Sequence, residues 1–142
     1  MKDGRAGPTE AVEIRTLDNV VADPTGGLSG EDVLLLKVDA EGEDEAVLVG
    51  ADALLRRCHP VVIVETWEGG DAIRLLLAKH GYRVYRYEPA RRQLVEFPAD
   101  WSGQANLIAV AACRAHQVTS RLAEAADQQL GPPNVRWLRL SG

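Results

Sequence analysis

The sequence predicts an α/β fold: a parallel sheet with helices on both faces. Three observations carry this. Nearly unbroken apolar runs recur at residues 33–38, 61–64 and 105–113. Amphipathic helical patterns lie between and after them. Glycine and proline punctuate the boundaries. Continuous apolar runs are the mark of strands covered on both faces, and their alternation with helices indicates parallel βαβ units.

Each element follows from its local pattern. Residues 1–11 are polar and hold Gly4, Gly7 and Pro8, the composition of a flexible end. The Val-Glu-Ile-Arg stretch at 12–15 alternates with the period of a half-buried strand. Thr16 or Asp18 is placed to cap a short helical turn over 17–21, and Pro24, Gly26 and Gly27 break the chain. The Val-Leu-Leu-Leu-Lys-Val run at 33–38 predicts a strand buried on both faces, ending in Asp39-Ala40-Glu41-Gly42. A helical pattern follows through Ala46, Val47, Val49, Gly50, Ala53, Leu54 and Leu55. Arg56 and Arg57 stand at the helix end that favours cations, and Pro60 stops the segment.

The second apolar strand, at 61–64, leads into Glu65, Thr66, Trp67 and Glu68. Gly69 and Gly70 open the next helix, with Asp71 as its cap. Ile73, Leu76, Leu77 and His80 share one face, and Gly81 ends the helix. Residues 82–87 alternate as an exposed or edge strand does, 88–92 turn the chain, and 94–97 return as a hairpin. Residues 105–113 read as another buried strand. A helical pattern covers 115–130, with Val118 and Leu122 on its apolar face, and Gly131, Pro132 and Pro133 end it. Residues 135–140 alternate weakly.

Composition sets the class. The chain has 142 residues, 46% hydrophobic and 26% charged, with a formal net charge of -5. That is ordinary for a single globular domain, and one of this size buries roughly 70% of its unfolded surface. Collagen-like, disulfide-scaffold and wholly disordered chains are excluded. The acidic balance argues against nucleic-acid binding through bulk charge. Aromatic residues, at 5%, offer little for base stacking. Cys58 and Cys113 are far apart without metal-ligand spacing, so they read as reduced thiols of a cytoplasmic protein. The first residues carry no apolar core of a signal peptide. The longest apolar run, 107–113, is far short of the ~20 residues of a membrane span.

In open α/β sheets, ligands sit outside the carboxyl ends of the strands. Two such ends carry acids: Asp39 with Glu41, and Glu65 with Glu68 beside Trp67. A carboxylate there can take a proton from a nucleophile or hydrogen-bond a ligand's hydroxyl or amino group. Plainer roles stand beside these. Asp39 suits the cap of the helix starting near Glu43, and Glu65 suits a solvated or backbone-bonded carboxylate. Lys37 either pairs with an acid at the sheet end or extends its stem along an edge. Gly42 supplies a turn conformation that other residues resist. Glu43, Asp44 and Glu45 read as favourable charges in a first helical turn. Arg83, Arg86, Arg91 and Arg92 read as a solvated basic face. His80 and His116 read as surface residues, and Cys58 and Cys113 as inert core thiols. No Gly-x-Gly-x-x-Gly, Gly-x-x-x-x-Gly-Lys-Ser/Thr or Gly-x-Ser-x-Gly pattern is present, and no metal site is expected.

The Lys37-Val38-Asp39-Ala40-Glu41-Gly42 segment resembles the Lys-Ile-Asp-Val-Glu-Gly strand of FkbM-type S-adenosylmethionine-dependent methyltransferases. Further segments match in order. Thr16-Leu17-Asp18 resembles the family's Thr-Leu-Asp. Residues 45–51 resemble its Glu-x-x-Val-Leu-x-Gly-Ala helix, and 57–65 its Arg-x-Pro-Val-Val-x-x-Glu strand. Residues 81–84 and 106–110 resemble its last two strands. The resemblance covers about residues 12–112. It implies a partial class I methyltransferase sheet of Rossmann-like type, comprising strands four to seven with flanking helices and a C-terminal helix. The implied sheet order is 3-2-1-4-5-7-6, with strand seven antiparallel. The chain then divides into a flexible N-terminus (1–11), a methyltransferase-like C-terminal half-domain (12–113) and a C-terminal helix and tail (114–142).

The resemblance also implies a function, O-methyl transfer from S-adenosylmethionine to a small-molecule acceptor that the sequence does not identify. Asp39, Glu41 and Glu65 become the expected catalytic residues, with Asp39 also on the cofactor. The strands that carry the family's glycine-rich cofactor loop have no counterpart here, so the expectation is a fragment inactive alone and complemented by an N-terminal half. The alternative is a non-catalytic interaction module, in which the exposed strand 33–38 forms a homodimer or captures a partner.

Overall fold

The computed structural model describes residues 10–25, 33–66, 70–98, 101 and 104–127. Residues 11–16 form neither strand nor helix, and Val12 and Ile14 are exposed, Ile14 by 93%. The expected strand at 12–15 is therefore corrected: alternation supplies a face, but a strand also needs a neighbour to pair with. Residues 1–9 and 128–142, with the expected end of the last helix and the weakly alternating tail, lie outside the described residues.

Helix α1 (Leu17–Ala22) begins where Thr16 Oγ1 accepts the Asn19 N–H at 3.2 Å, and it buries Leu17 and Val21. Strand β1 (Leu35–Val38) is shorter than the apolar run and only half-buried, with Leu34 60% exposed. This corrects the expectation of burial on both faces: β1 is at the sheet margin, and its one partner among the described strands is β2.

The helical pattern after Gly42 resolves into two short helices, α2 (Asp44–Val49) and α3 (Asp52–Cys58), broken at Gly50 and Ala51. α1 fills the break. The Asp18 N–H donates to Gly50 O at 2.9 Å, and the Asp18 carboxylate accepts the Ala53 and Leu54 N–H groups, each at 2.9 Å. A Cβ on Gly50 would lie 3.2 Å from Thr16 Cβ. Glycine here allows α1 to approach.

Strand β2 (Val61–Thr66) continues two residues past its apolar run. Helix α4 (Asp71–Lys79) has Gly70 as its N-cap, in the left-handed conformation, so Asp71 is the first helical residue and not the cap. Strands β3 (Tyr82–Glu88) and β4 (Gln93–Glu96) form the expected hairpin. Strand β5 (Ala105–Ala111) ends before Cys113, where a 3-10 turn over Ala112–Arg114 leads into α5 (Ala115–Asp127).

The five strands among the described residues lie in the order β1-β2-β5-β3-β4. Only β1 and β2 pair in parallel. β5 runs antiparallel to both β2 and β3, and β4 antiparallel to β3. The sheet is thus mixed, which corrects the parallel sheet read from the apolar runs. A buried β5 between two like-directed strands has the same apolar signature whichever way it points. The architecture is compatible with a Rossmann-like methyltransferase fold.

Register separates the two faces. Val38, Val62, Val64, Thr66, Leu107, Ala109, Ala111 and Tyr82 share one face and are buried. Leu17, Leu48, Leu54, Leu55, Ile73 and Leu77 of the first four helices complete that core. Leu35, Lys37, Ile63, Glu65, Ile108 and Tyr85 occupy the other face and are half-buried or exposed. On that side α5 packs on β4 and β5.

Candidate functional site

Strand pairing brings two of the expected acids to one end of the sheet. Val38 is level with Val64 in the parallel pair, so Asp39 and Glu65, each one residue further on, stand at the carboxyl ends of neighbouring strands. Such strands lie about 4.8 Å apart. By alternation, Glu65 shares the face of Lys37 and Ile63, opposite the helix-covered core. The Lys37 ammonium reaches forward to Asp39 Oδ2 at 2.6 Å, which answers the two readings of Lys37 in favour of pairing. Both side chains are about half exposed, so the pair orients the carboxylate and adds little stability, about 0–1 kcal/mol.

Asp39 is not the helix cap. Glu43 holds the N-cap position of α2, with no side-chain cap bond, and the turn before it is tied instead by Asp44, which sequence reading assigned only a favourable helix charge. Asp44 is 8% exposed. Its Oδ1 accepts the Ala40 N–H at 3.0 Å and its Oδ2 the Gly42 N–H at 3.4 Å. The Glu43 N–H closes the turn on Ala40 O at 3.0 Å. One buried carboxylate therefore ties the turn that presents Asp39 and Glu41. Glu41 sits within that turn at φ 49° and Gly42 at φ 103°. The second value confirms the conformational demand on Gly42, because such backbone is open to glycine and costly for most other residues. Glu41 itself is exposed and lies in the loop, not on the strand face shared by Lys37 and Glu65.

Glu65 gains a partner that the sequence did not signal. Gln104, just ahead of β5, donates its Nε2 to Glu65 Oε1. The side chains come from positions 39 apart, so only the β2–β5 pairing joins them. Trp67 and Glu68 lie outside the described residues. The chain re-emerges at Gly70 (φ 55°), where a Cβ would lie 2.9 Å from Thr66 Cγ2. Glycine is required there by both the backbone angle and the close approach to buried Thr66.

Other expectations change. The His80 side chain is 8% exposed, not on the surface, and its Nε2 lies 3.4 Å from Asp52 Oδ1. Cys58 is buried as expected, whereas Cys113 is exposed, and both are free thiols. Arg86 is not simply solvated: it is half-buried and bonds Glu88 at 3.1 Å.

The site is therefore two strand-end acids, one held by a lysine and the other by a glutamine, with a third acid on a pinned turn. This set can accept hydrogen bonds from hydroxyl or ammonium groups and can take up a proton. Two cavities among the described residues are lined by other side chains, one around Asp18 and Leu54 and one around Arg91 and Leu94. Among the described residues, no three His, Cys, Asp or Glu side chains converge as metal ligands. No helix among them is long and apolar enough to cross a membrane.

The family model for the methyltransferase FkbM domain matches residues 3–84, more than half of the chain. The match takes in the turn bearing Asp39 and Glu41, strand β2 with Glu65, and β3 as far as Val84. Neither a curated protein nor a solved structure gives a significant match.

Proposed function

The chain belongs to the FkbM methyltransferase family, and on that premise we propose that it builds the acceptor side of an S-adenosylmethionine-dependent O-methyltransferase site. The placement of Asp39 and Glu65, each one residue past the level Val38–Val64 pair of the adjacent strands, is the observation that carries this reading. In this proposal β1, β2, β3 and β5 are strands four, five, six and seven of a class I sheet. The order β1-β2-β5-β3, with β5 antiparallel, supports it.

S-adenosylmethionine, when bound, supplies an electrophilic methyl carbon. Asp39 is the residue that contacts the donor and orients the acceptor oxygen against that carbon, as an in-line displacement demands. The acceptor proton passes to a carboxylate, Asp39 first, with Glu41 next to it in the turn. Glu65, held by Gln104, borders the acceptor at the mouth of β2. Lys37 and Asp44 act as positioning residues.

The 142 residues contain no glycine-rich cofactor loop. We place the rest of the donor site on a complementing N-terminal half that pairs along β1, and the chain alone is then inactive. Titration calorimetry of S-adenosylmethionine into the 142-residue chain tests this part. No saturable heat is expected, and a micromolar dissociation constant would overturn it.

A further inference from the structure

Both cysteines of the chain stand at one end of the sheet, opposite the end that carries Asp39 and Glu65. Strands β2 and β5 pair from Val62 with Ala109 to Thr66 with Ala105. Cys58 is four residues before Val62, and Cys113 is four residues after Ala109. The register, continued past the ladder, therefore sets one cysteine against the other. The chain has left the strands at both positions. Cys58 is the last residue of α3, followed by His59 in the left-handed conformation at φ 47°. Cys113 is the middle residue of the 3-10 turn Ala112–Arg114.

Contacts across this junction tie the two chain ends. Arg114, one residue past Cys113, donates from Nη1 to Cys58 O at 3.4 Å and to His59 O at 3.3 Å. The Ala112 N–H, one residue before Cys113, donates to Gly81 O at 3.0 Å. Tyr82 is level with Ala111 in the β3–β5 pair, and its side chain lies in the helix-covered core. Burial raises the Tyr82 phenol most, the Cys113 and Cys58 thiols raise it further, and the Arg114 guanidinium opposes them. One phenol thus stands within electrostatic reach of both sulfurs.

The two thiols differ in access. Cys113 is exposed, whereas Cys58 is 8% exposed and its Sγ accepts the Arg57 Nε–H at 3.4 Å. A reagent in solution reaches the first and not the second. An accessible thiol with a second thiol behind it to resolve the adduct is the arrangement of a redox-responsive pair.

We propose that Cys58 and Cys113 are a redox modification site, closing to an internal disulfide when the chain meets a small-molecule disulfide such as oxidised glutathione. The Cys113 thiolate attacks one sulfur of oxidised glutathione. The sulfur–sulfur bond of the oxidant breaks, and one glutathione leaves with the proton that Cys113 gave up. Cys58 then attacks the Cys113 sulfur of the mixed disulfide and expels the second glutathione, which takes the Cys58 proton. Two protein thiols are oxidised to one disulfide, and one oxidised glutathione is reduced to two thiols. A disulfide needs Cα atoms about 4.4–6.8 Å apart, and the short turn Ala112–Arg114 closes on the end of α3 to meet this. The site is separate from the Asp39–Glu65 acids and does not depend on the methyltransferase reading.

The test is oxidised glutathione added to the full 142-residue chain. In native buffer both thiols are expected to disappear, the chain to lose the mass of two hydrogens, and peptide mapping to join Cys58 to Cys113. Dithiothreitol should restore both thiols. Closure should be at least tenfold faster in native buffer than in urea, because the fold holds the two residues near each other. Cys58→Ser should stop at a glutathione adduct on Cys113. A wild-type chain that keeps both thiols overturns the proposal. So does one that stops at the Cys113 adduct, links to a second chain through Cys113, or closes no faster in native buffer than in urea.

Discussion

Asp44 Oδ1 accepts the Ala40 N–H at 3.0 Å, and this bond ties the first turn of α2 back to the end of β1. The carboxylate is buried, so its loss leaves donors of the turn unsatisfied as well as removing the bonds. Asp44→Ala should destabilise the chain by about 1–3 kcal/mol, read by urea denaturation. Amide exchange at Ala40 and Gly42 should accelerate. Unchanged exchange at both would show that the turn holds its shape without Asp44.

A second carboxylate acts across a longer separation. Asp18, on α1, caps α3 through the Ala53 and Leu54 N–H groups. α3 has no side-chain cap of its own, so Asp18→Ala should cost about 1–2 kcal/mol, the range for losing a helix cap. Asp18→Asn, which keeps an acceptor oxygen, should recover part of that. Equal stability of wild type and Asp18→Ala in urea denaturation would contradict the cap.

Gly70 tests the connection from β2 to α4. A Cβ at this position meets Thr66 Cγ2 at 2.9 Å, and the backbone is left-handed. Gly70→Ala should destabilise by about 1–3 kcal/mol. Adding Thr66→Ser, which deletes the nearest atom, should recover only part of the steric cost, because Thr66 Cβ at 3.0 Å and Oγ1 at 3.2 Å remain, and should leave the backbone part. A neutral Gly70→Ala, judged by urea midpoint, would remove this constraint.

Tyr82 sets an alkaline limit. Burial pushes its phenol well above the ordinary value of 10.0, and the Cys113 and Cys58 thiols add to the rise. The unfolded chain therefore ionises this tyrosine first as the pH climbs. Tyr82 contributes stability that is complete below about pH 10 and declines above it. Its hydroxyl is buried without a hydrogen-bond partner among the described residues. Tyr82→Phe should accordingly be neutral or stabilising by up to about 1 kcal/mol at pH 7, and should flatten the loss of stability above pH 10. A loss exceeding about 2 kcal/mol at pH 7 would indicate a hydrogen bond of the phenol.

Much of the fold was legible because its signals are local. The apolar runs placed β1, β2 and β5, Gly81 closed α4, and Thr16 capped α1 as its residue type predicts. The misreadings share a cause, which is that partners distant in sequence decide them. β5 has the composition of any buried strand, and only its position between β2 and β3 reveals an antiparallel direction. The break between α2 and α3 depends on Asp18 and Thr16 packing at Gly50. His80 meets Asp52 of α3 at 3.4 Å, although its helix pattern alone allows exposure.

The candidate site divides in the same way. Asp39, Glu41 and Glu65 could be singled out because acids at strand ends are an evident pattern. The placement of Asp39 near Glu65, past the Val38–Val64 pair, required the β1–β2 register, and Gln104 required β5 beside β2. Asp44 carried one weak signal, an acid soon after a turn glycine, and that signal equally fits a charge near a helix start.

The most direct test of the central claim uses S-adenosylmethionine binding to the chain mixed with a polypeptide carrying the glycine-rich half of an FkbM domain. Titration calorimetry should show saturable binding in the mixture and none with either part alone. Asp39→Asn should weaken binding in the mixture at least tenfold, about 1.4 kcal/mol. Binding by the mixture that is indifferent to Asp39→Asn, or no binding by the mixture at all, would contradict the account.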